Sequence, residues 1–526
     1  MNTIPALIRQ KWANVKPGLT GKYSLPGFYL VIILIGLLYY YGYIYTQPPQ
    51  SIHRWRQTDS ASITLNLYQH GMKFFQPEVH SLTADGNTTG RAAGEAPLLY
   101  YVIALLYKIF GPHNYIYRIA NSLFFFAGLG ALFLLSKRVI NDFLPALFIP
   151  LLVFVSPVMA YYGNNYLPDT TSLALVFAGW LQYMRYQEKQ RITTFLLMIT
   201  FFAMAGLLKA SMTLNLFTVA GIAIVHHLKL TGKNSTLKMP KPVVFYPFML
   251  MAVTIITAWY LYAIHYNRIH NSYTFLTSIT PWWHLNREAF KELTHYILKN
   301  NINLFYSKEL LVFLGIALIA FLAFFKKLPE HIRLPLVFLL PGSITYINLY
   351  YNQFKYHDYY IIVLFSTVAF MTIALLLVIK TVVPKFYYSA YFTLLLFILI
   401  AFNVHHSRKE MSLRYFGWKL EAPVYKDYFT IKPYLKSIGI EPEDRVISIP
   451  DVTNCYTLYM MNQPGNTIGR ISADTPADIK QFITKGAKYM MVNDTSILNV
   501  QEIKPFTLNK IGKYNEVSVF RIDNIQ

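Results

Sequence analysis

The sequence predicts an α-helical polytopic membrane protein of about eleven transmembrane helices, carrying a small C-terminal α/β domain. Three observations predict it. Of 526 residues, 54% are hydrophobic and only 14% charged, more apolar surface than a soluble chain can bury. Apolar stretches long enough to cross a bilayer recur from residue 27 to residue 403. From about residue 408 short apolar runs ending in acids alternate with a helical pattern.

The spans lie near 27–45, 117–136, 143–162, 169–186, 193–209, 211–228, 244–264, 309–325, 334–350, 358–380 and 385–403. The first, LPGFYLVIILIGLLYYYGYIYT, has no small-residue cleavage site and stays as a helix. Arg9, Lys11, Lys16 and Lys22 precede it, which places the N-terminus in the cytoplasm. With that parity the basic connections SKRVIND, YQEKQRIT, HHLKLTGKNSTLKMPK, FKKLPEHIR and KTVVPK all fall on the cytoplasmic side. Residues 96–111 would invert the later loops if they crossed, and they are short, so they are expected to lie along the outer membrane face. The outward pieces are then the loop 46–116, the turn YYGNNYLPD, the turn around Lys209, the loop 265–308, the turn YYNQFKYHD and the tail.

The chain divides into a membrane domain, 1–407, and an extracytoplasmic α/β domain, 408–526. In the latter, RVISIPD, KYMMVND and NEVSVFRID read as strands. TPADIKQFITKG reads as a helix, with a Thr cap, Pro at its first position and a Gly stop. The net charge of +22 comes from lysines and arginines lying mostly between apolar stretches. It therefore speaks for topology and lipid headgroups, not for nucleic acid. The single cysteine, Cys455, excludes an intramolecular disulfide and CxxC metal sites.

The outer face collects Arg54, Arg56, Asp59, Glu95, Arg118, Asp169, Lys209, Lys355, His357 and Asp358. Each has a plain explanation. Asp59 can be a solvated loop acid or cap a short helix beginning at SASITLNLYQHG, and Asp169 follows Pro168 at a helix start. Lys209 can snorkel, His357 can be an interfacial aromatic, and His226 and His227 belong to the opposite headgroup interface. Together they mean more, because ionisable groups beside apolar spans are expensive and mark function. Such a set offers carboxylates for proton transfer or metal binding and cations for an anionic ligand, a lipid phosphate by its position. Lys209 and Lys355 would act as point charges, and Arg118, Arg54 or Arg56 bidentately. Trp55, Tyr68, Trp282, Trp283 and Tyr359 either stack on a sugar or sit in the interfacial belt. The amphipathic run TPWWHLNREAFKELTHYILKN is placed to cover such a site.

In order, TDSASITLNLY, GMKFFQPEV, GEAPLLYYVIALLYKIFG and YRIANSLFFF resemble the first outer loop of the GT-C glycosyltransferases. The similarity is to the branch of protein O-mannosyltransferases and lipid A aminoarabinose transferases. SPVMAYYGNNYLPDTTSLAL, AGLLKASMTLNL and KYHDYYIIVL are similar to later family segments, so the resemblance reaches about residue 380. It implies an inverting transferase taking a sugar from a polyprenyl phosphate to a glycan, lipid or protein hydroxyl at the outer face, and the net charge and basic loops suit an anionic bacterial inner membrane. Asp59 falls on the family's catalytic acid and Lys209 on the lysine near the lipid phosphate, with Arg118, Lys355 and His357 as further phosphate ligands. Arg56, Glu95, Asp169 and Tyr359 would touch substrate, and Glu95 with Asp169 could hold a divalent metal or orient Asp59 and sugar hydroxyls. Two acids leave most of the about six oxygen ligands of such a cation to phosphate and water. Ser60 stands where the family has a second acid and Ala96 where it has a lysine, which leaves one carboxylate for the proton and removes one cation. The rival reading is a transporter or flippase for polyprenyl-linked glycolipids; polar residues at mid-span would favour it, and here the charges collect at one face.

Overall fold

The computed structural model describes residues 24–232, 235–275, 279–417 and 426–524. Arg9, Lys11, Lys16 and Lys22 lie outside the described residues. All eleven apolar stretches fall on helices. In chain order these include α1 (Ser24–Leu38), α2 (Arg54–Gln69), α3 (Leu98–Phe110), α4 (Asn114–Ile140), α5 (Phe143–Phe154), α6 (Asp169–Lys189), α7 (Ile192–Leu208), α8 (Thr213–His227) and α9 (Pro242–Ile269). After them come α10 (Arg287–Tyr296), α11 (Lys308–Ala323), α12 (Glu330–Leu349), α13 (Phe365–Val382) and α14 (Ala390–Phe416). The α14 helix continues past residue 407, to Phe416.

Not all of the eleven are full-length spans. Among the described residues, six helices are long and apolar enough to cross a membrane, or seven if the pair Arg287–Phe305 and Lys308–Ala323, bent by 94°, is one span. The α1, α5 and α7 helices are apolar but shorter. The causes are local: Ser156 is extended before Pro157, which ends the α5 run, and Lys209 is extended (φ −154°) between α7 and α8. The α3 helix has 13 residues, too few to span, and packs in the layer that covers one end of the bundle.

The five basic connections share one face, as their parity requires. Arg138 pairs with Glu188 (2.6 Å), Lys380 with Asp142 (2.7 Å), Gln187 donates to the Lys238 carbonyl (2.8 Å), and Ser235 donates to Glu330 (2.7 Å). The α4 and α6 helices cross closely because Gly128 has no side chain: a Cβ there would stand 2.3 Å from the Ala174 Cα.

The opposite face is covered by the loop 46–116 and the tail together. The tail sheet has five strands, β1 (Arg445–Ile449), β2 (Gly465–Thr467), β3 (Ala487–Val492), β4 (Lys510–Tyr514) and β5 (Val517–Arg521), in the order β2-β1-β3-β5-β4. Strands β1, β2 and β3 run parallel and β5 pairs antiparallel with β3 and β4. Its helix α15 (Tyr456–Met461) joins β1 to β2, and α16 (Thr475–Thr484) joins β2 to β3. Asp474, not Thr475, occupies the cap position of α16; Thr475 already lies in the helix, its hydroxyl accepting from the Ser472 N–H (2.9 Å). Ala61, Ile63, Leu65 and Leu67 of α2 share one apolar core with Tyr428, Leu435, Cys455, Leu458 and Val519 of the tail. Gly465 N–H donates to the His80 carbonyl (2.9 Å) and Tyr456 hydroxyl to the Pro49 carbonyl (2.9 Å). The tail is therefore part of the same outer layer, packed on the back of α2.

Candidate active site

The α2 helix begins at Arg54, behind His53 in the left-handed region (φ 55°). Asp59 thus sits inside the helix and caps nothing, because the helix starts a full turn earlier than its apolar pattern suggests. Gln57 fixes the entry: its amide donates to the Gln50 carbonyl (2.8 Å) and to the Tyr161 hydroxyl (2.9 Å). Helical spacing then brings Arg56 and Ser60 onto one face, where Arg56 Nη1 donates to Ser60 Oγ (3.2 Å). Arg56 Nη2 forms an ion pair with Glu95, and the Tyr100 hydroxyl donates to the same Glu95 oxygen. Ser60 Oγ lies 3.2 Å from the Tyr100 hydroxyl and closes the ring of contacts.

Glu95 is delivered by a pinned segment. Ala93 N–H donates to the Asn267 side-chain oxygen of α9 and the Ala93 carbonyl accepts from the Asn267 amide (both 2.8 Å), Trp259 donates to the Gly94 carbonyl (3.0 Å), and Ala96 N–H donates to the Leu207 carbonyl (2.9 Å). That last bond ties the start of α3 to the end of α7, and so sets Glu95 beside Lys209. Lys209 Nζ pairs with Asp169 at the first position of α6 (2.9 Å) and stands over the rings of Tyr359 (5.1 Å) and Tyr360 (5.0 Å). The pair Arg56–Glu95 and the pair Asp169–Lys209, the latter against the ring of Tyr359, come from separate segments and lie within electrostatic reach of each other.

The electrostatics distinguish Asp59 from its neighbours. Among the described residues its carboxylate takes part in no hydrogen bond or ion pair, although it is only 6% exposed. Burial pushes its carboxyl up to about 7, with Arg56 pulling it down and Glu95 adding to the rise. Burial also works against the charge of Glu95, but Arg56, Tyr100 and Lys209 outweigh it and hold that carboxyl below its usual range. Lys209 is buried too, and Asp169 more than offsets the penalty, raising the ammonium above its ordinary value.

Several expected ligands have other employment. Arg118 is fully buried, and its guanidinium donates to the carbonyls of Gln47, Pro48 and Asn164 (2.9 Å each) over the Tyr166 ring. It fastens the loop to the bundle, with each of its three nitrogens already donating to a backbone carbonyl. Lys355 faces Glu292 of α10 (3.7 Å) and the rings of Tyr296 and Tyr356, away from the group. His357 does approach, its ring 5.4 Å from Tyr359, but burial pushes it down to about 4, so it is neutral at pH 7 and offers a hydrogen bond, not a charge. Trp282 and Trp283 are exposed on their loop, and Tyr68 packs edge-on against Tyr107. Glu95 and Asp169 do not fit a divalent metal. Each already carries a cation, and no group of three or more His, Cys, Asp or Glu side chains is arranged to hold one among the described residues.

Partners that sequence reasoning missed, among them His53, Arg414 and Tyr100, complete the surroundings. Asp358 is bound by Arg414 (2.6 Å), Tyr162 (2.5 Å) and His53 (3.2 Å), all buried, and anchors both the start of α2 and the end of α14. Arg414 lies past the apparent end of the membrane region, so nothing in its sequence context pointed to it. Tyr100 falls five residues after Glu95 within an apolar run that hides its hydroxyl.

Residues 94–259 match the family model described as dolichyl-phosphate-mannose-protein mannosyltransferase. No curated protein matches the chain in sequence. Among solved structures, ArnT from Cupriavidus metallidurans in the apo state is similar at 13% identity and a TM-score of 0.58, covering 94% of this chain and 97% of that one. The same protein bound to undecaprenyl phosphate is similar at 13% identity and a TM-score of 0.57, covering 95% and 98%. The chain has the GT-C fold over nearly its whole length, tail included.

Proposed function

We propose, from the GT-C fold and from Asp59, a buried acid without a partner among the described residues, that this chain is an inverting glycosyltransferase. It would move a sugar from a polyprenyl-phosphate donor to an acceptor hydroxyl at the extracytoplasmic face of a multi-pass membrane protein, with the N-terminus cytoplasmic and the tail outside. A bacterial inner membrane fits the basic connections, and the acceptor is a glycan, lipid or protein. The observation that carries the reading is Asp59: buried, without a partner among the described residues, and raised to about 7. A general base is most useful with a pKa near the working pH.

The chemistry follows from the neighbours. The acceptor oxygen attacks the anomeric carbon from the face opposite the phosphate; the C–O bond to the phosphate breaks, and the acceptor proton passes to Asp59 Oδ. The charge growing on the leaving polyprenyl phosphate is met by Lys209 and Arg56, fixed in advance by Asp169 and Glu95. Tyr359 and the neutral ring of His357 would line the sugar. The test is transfer by purified protein from a polyprenyl-phosphate sugar, wild type against Asp59→Asn. Wild-type turnover by the variant would remove Asp59 from its role, and a failure of the protein to bind any such donor would end the transferase reading.

A further inference from the structure

The tail domain holds a second candidate site, lined by none of the residues named around Asp59. Parallel strands β1 and β3 are neighbours, yet the chain leaves β1 towards β2 and leaves β3 towards β5 and β4 on the other side. Divergent exits open a crevice at the carboxyl ends of the strands, the place where open α/β sheets bind ligands. A cavity of about 400 Å³ lies there. Pro450 follows β1, Arg470 follows β2 and Asp494 follows β3, while Ile471, Ile497 and Glu502 complete its wall.

The lining selects among ligands. One guanidinium against two carboxylates disfavours a phosphate or any other anion. Arginine donates and carboxylates accept, which suits hydroxyl groups that do both, and the aliphatic side chains between them suit C–H faces. Asp494 is held in advance: its Oδ1 accepts from Ser496 N–H (2.9 Å) and Oγ (2.6 Å), which leaves Oδ2 for a ligand. Beside it Asn493 is buried, its N–H bonded to the Ile449 carbonyl (2.9 Å), and neither atom of its side-chain amide has a partner. A buried unpaired amide at the strand ends is unfavourable unless something polar meets it.

We propose that this crevice is a carbohydrate-binding site for a neutral or amino sugar, one or two rings in size, and that it holds part of the acceptor glycan. The second half of that statement rests on the transferase reading; the binding itself does not. The test is saturation-transfer NMR on the full-length protein in nanodiscs, without donor, using the methyl glycosides of mannose, glucosamine and N-acetylglucosamine. At least one should receive saturation. Glu502→Gln should weaken its binding about tenfold, the loss of one charge-assisted hydrogen bond. Ile497→Trp, which fills the cavity, should abolish it. Silence from all three glycosides, displacement by inorganic phosphate, or full binding by Ile497→Trp would each overturn the proposal. Because no donor is present, a failed transfer reaction would leave a positive binding result standing.

Discussion

Asp59 and Asp358 are both buried aspartates on the tail side of the bundle, 6% and 3% exposed, and they do opposite things. Around Asp358 the carboxylate is bound by Arg414, Tyr162 and His53, each from a different part of the chain. Around Asp59 the cations are present but turned to other partners: Arg56 to Glu95, Lys209 to Asp169. The first arrangement holds three segments together. The second leaves one carboxylate whose charge is paid for by nothing in contact with it, and that is the group able to accept a proton. The difference lies in the partners, since burial is nearly the same.

The largest effect should come from the open carboxylate. Asp59→Asn keeps the shape and removes the base, so kcat should fall by about 10²–10⁴ while the donor still binds. Donor affinity by titration and single-turnover transfer separate the two. A comparable fall in kcat for Asp358→Asn, with folding intact, would erase the contrast between the sites.

The closed carboxylate should answer in stability instead. Arg414→Met leaves Asp358 charged and buried with its main cation gone, a change worth about 3–5 kcal/mol. Arg414→Met combined with Asp358→Asn should recover much of that loss, since removing both charges removes the stranded one. Thermal unfolding of the four proteins in one detergent reads the coupling; if the double variant is as unstable as the sum of the singles, the pair is not a unit.

How much of this contrast could be read from the sequence differs by residue. Asp59, Glu95, Asp169 and Lys209 stand out in the sequence as charges beside apolar runs, and the structure pairs Glu95 with Arg56 and Asp169 with Lys209. The parity of the basic connections was legible for the same reason. Arg118 stood out equally, and its guanidinium donates to three backbone carbonyls; a guanidinium capping loop carbonyls has the same sequence signature as one waiting for phosphate. His53, Tyr100 and Arg414 were not legible, since their roles arise from contacts 305, 5 and 56 residues away that no local pattern encodes. The turn at Lys209 was marked by its charge between two apolar runs, whereas the break at Ser156 depends on backbone angles, not on hydropathy.

A third effect is set by pH. Asp59 has a folded-state value of about 7 against an ordinary 3.8, so folding favours its protonated form. Its contribution to stability is fully present below pH 3.8 and is lost as pH rises through about 7, where the charge must be carried unpaired. Asp59→Asn should therefore melt like the wild type in acid and higher than it at pH 8. Transfer should run the other way, rising with pH to a plateau above about 7 as the base ionises. An activity optimum at pH 5 would contradict the assignment of Asp59 as base.

The smallest effect should be found at the opposite face. Arg138 and Glu188 pair at 2.6 Å, as short as Arg414 and Asp358, but both side chains are more than a third exposed. Water and salt screen such a pair, and ordering two long side chains offsets much of the attraction, which leaves about 0–1 kcal/mol. Glu188→Gln should thus shift unfolding slightly, and the shift should vanish at high salt, whereas the loss in Arg414→Met should persist there. Equal distance with unequal consequence is what desolvation demands: the interaction is strong only where the alternative, a bare charge in a dry site, is worse. If Glu188→Gln proved as damaging as Arg414→Met, distance alone would govern both pairs, and the unpaired state of Asp59 would lose its meaning as a mark of function.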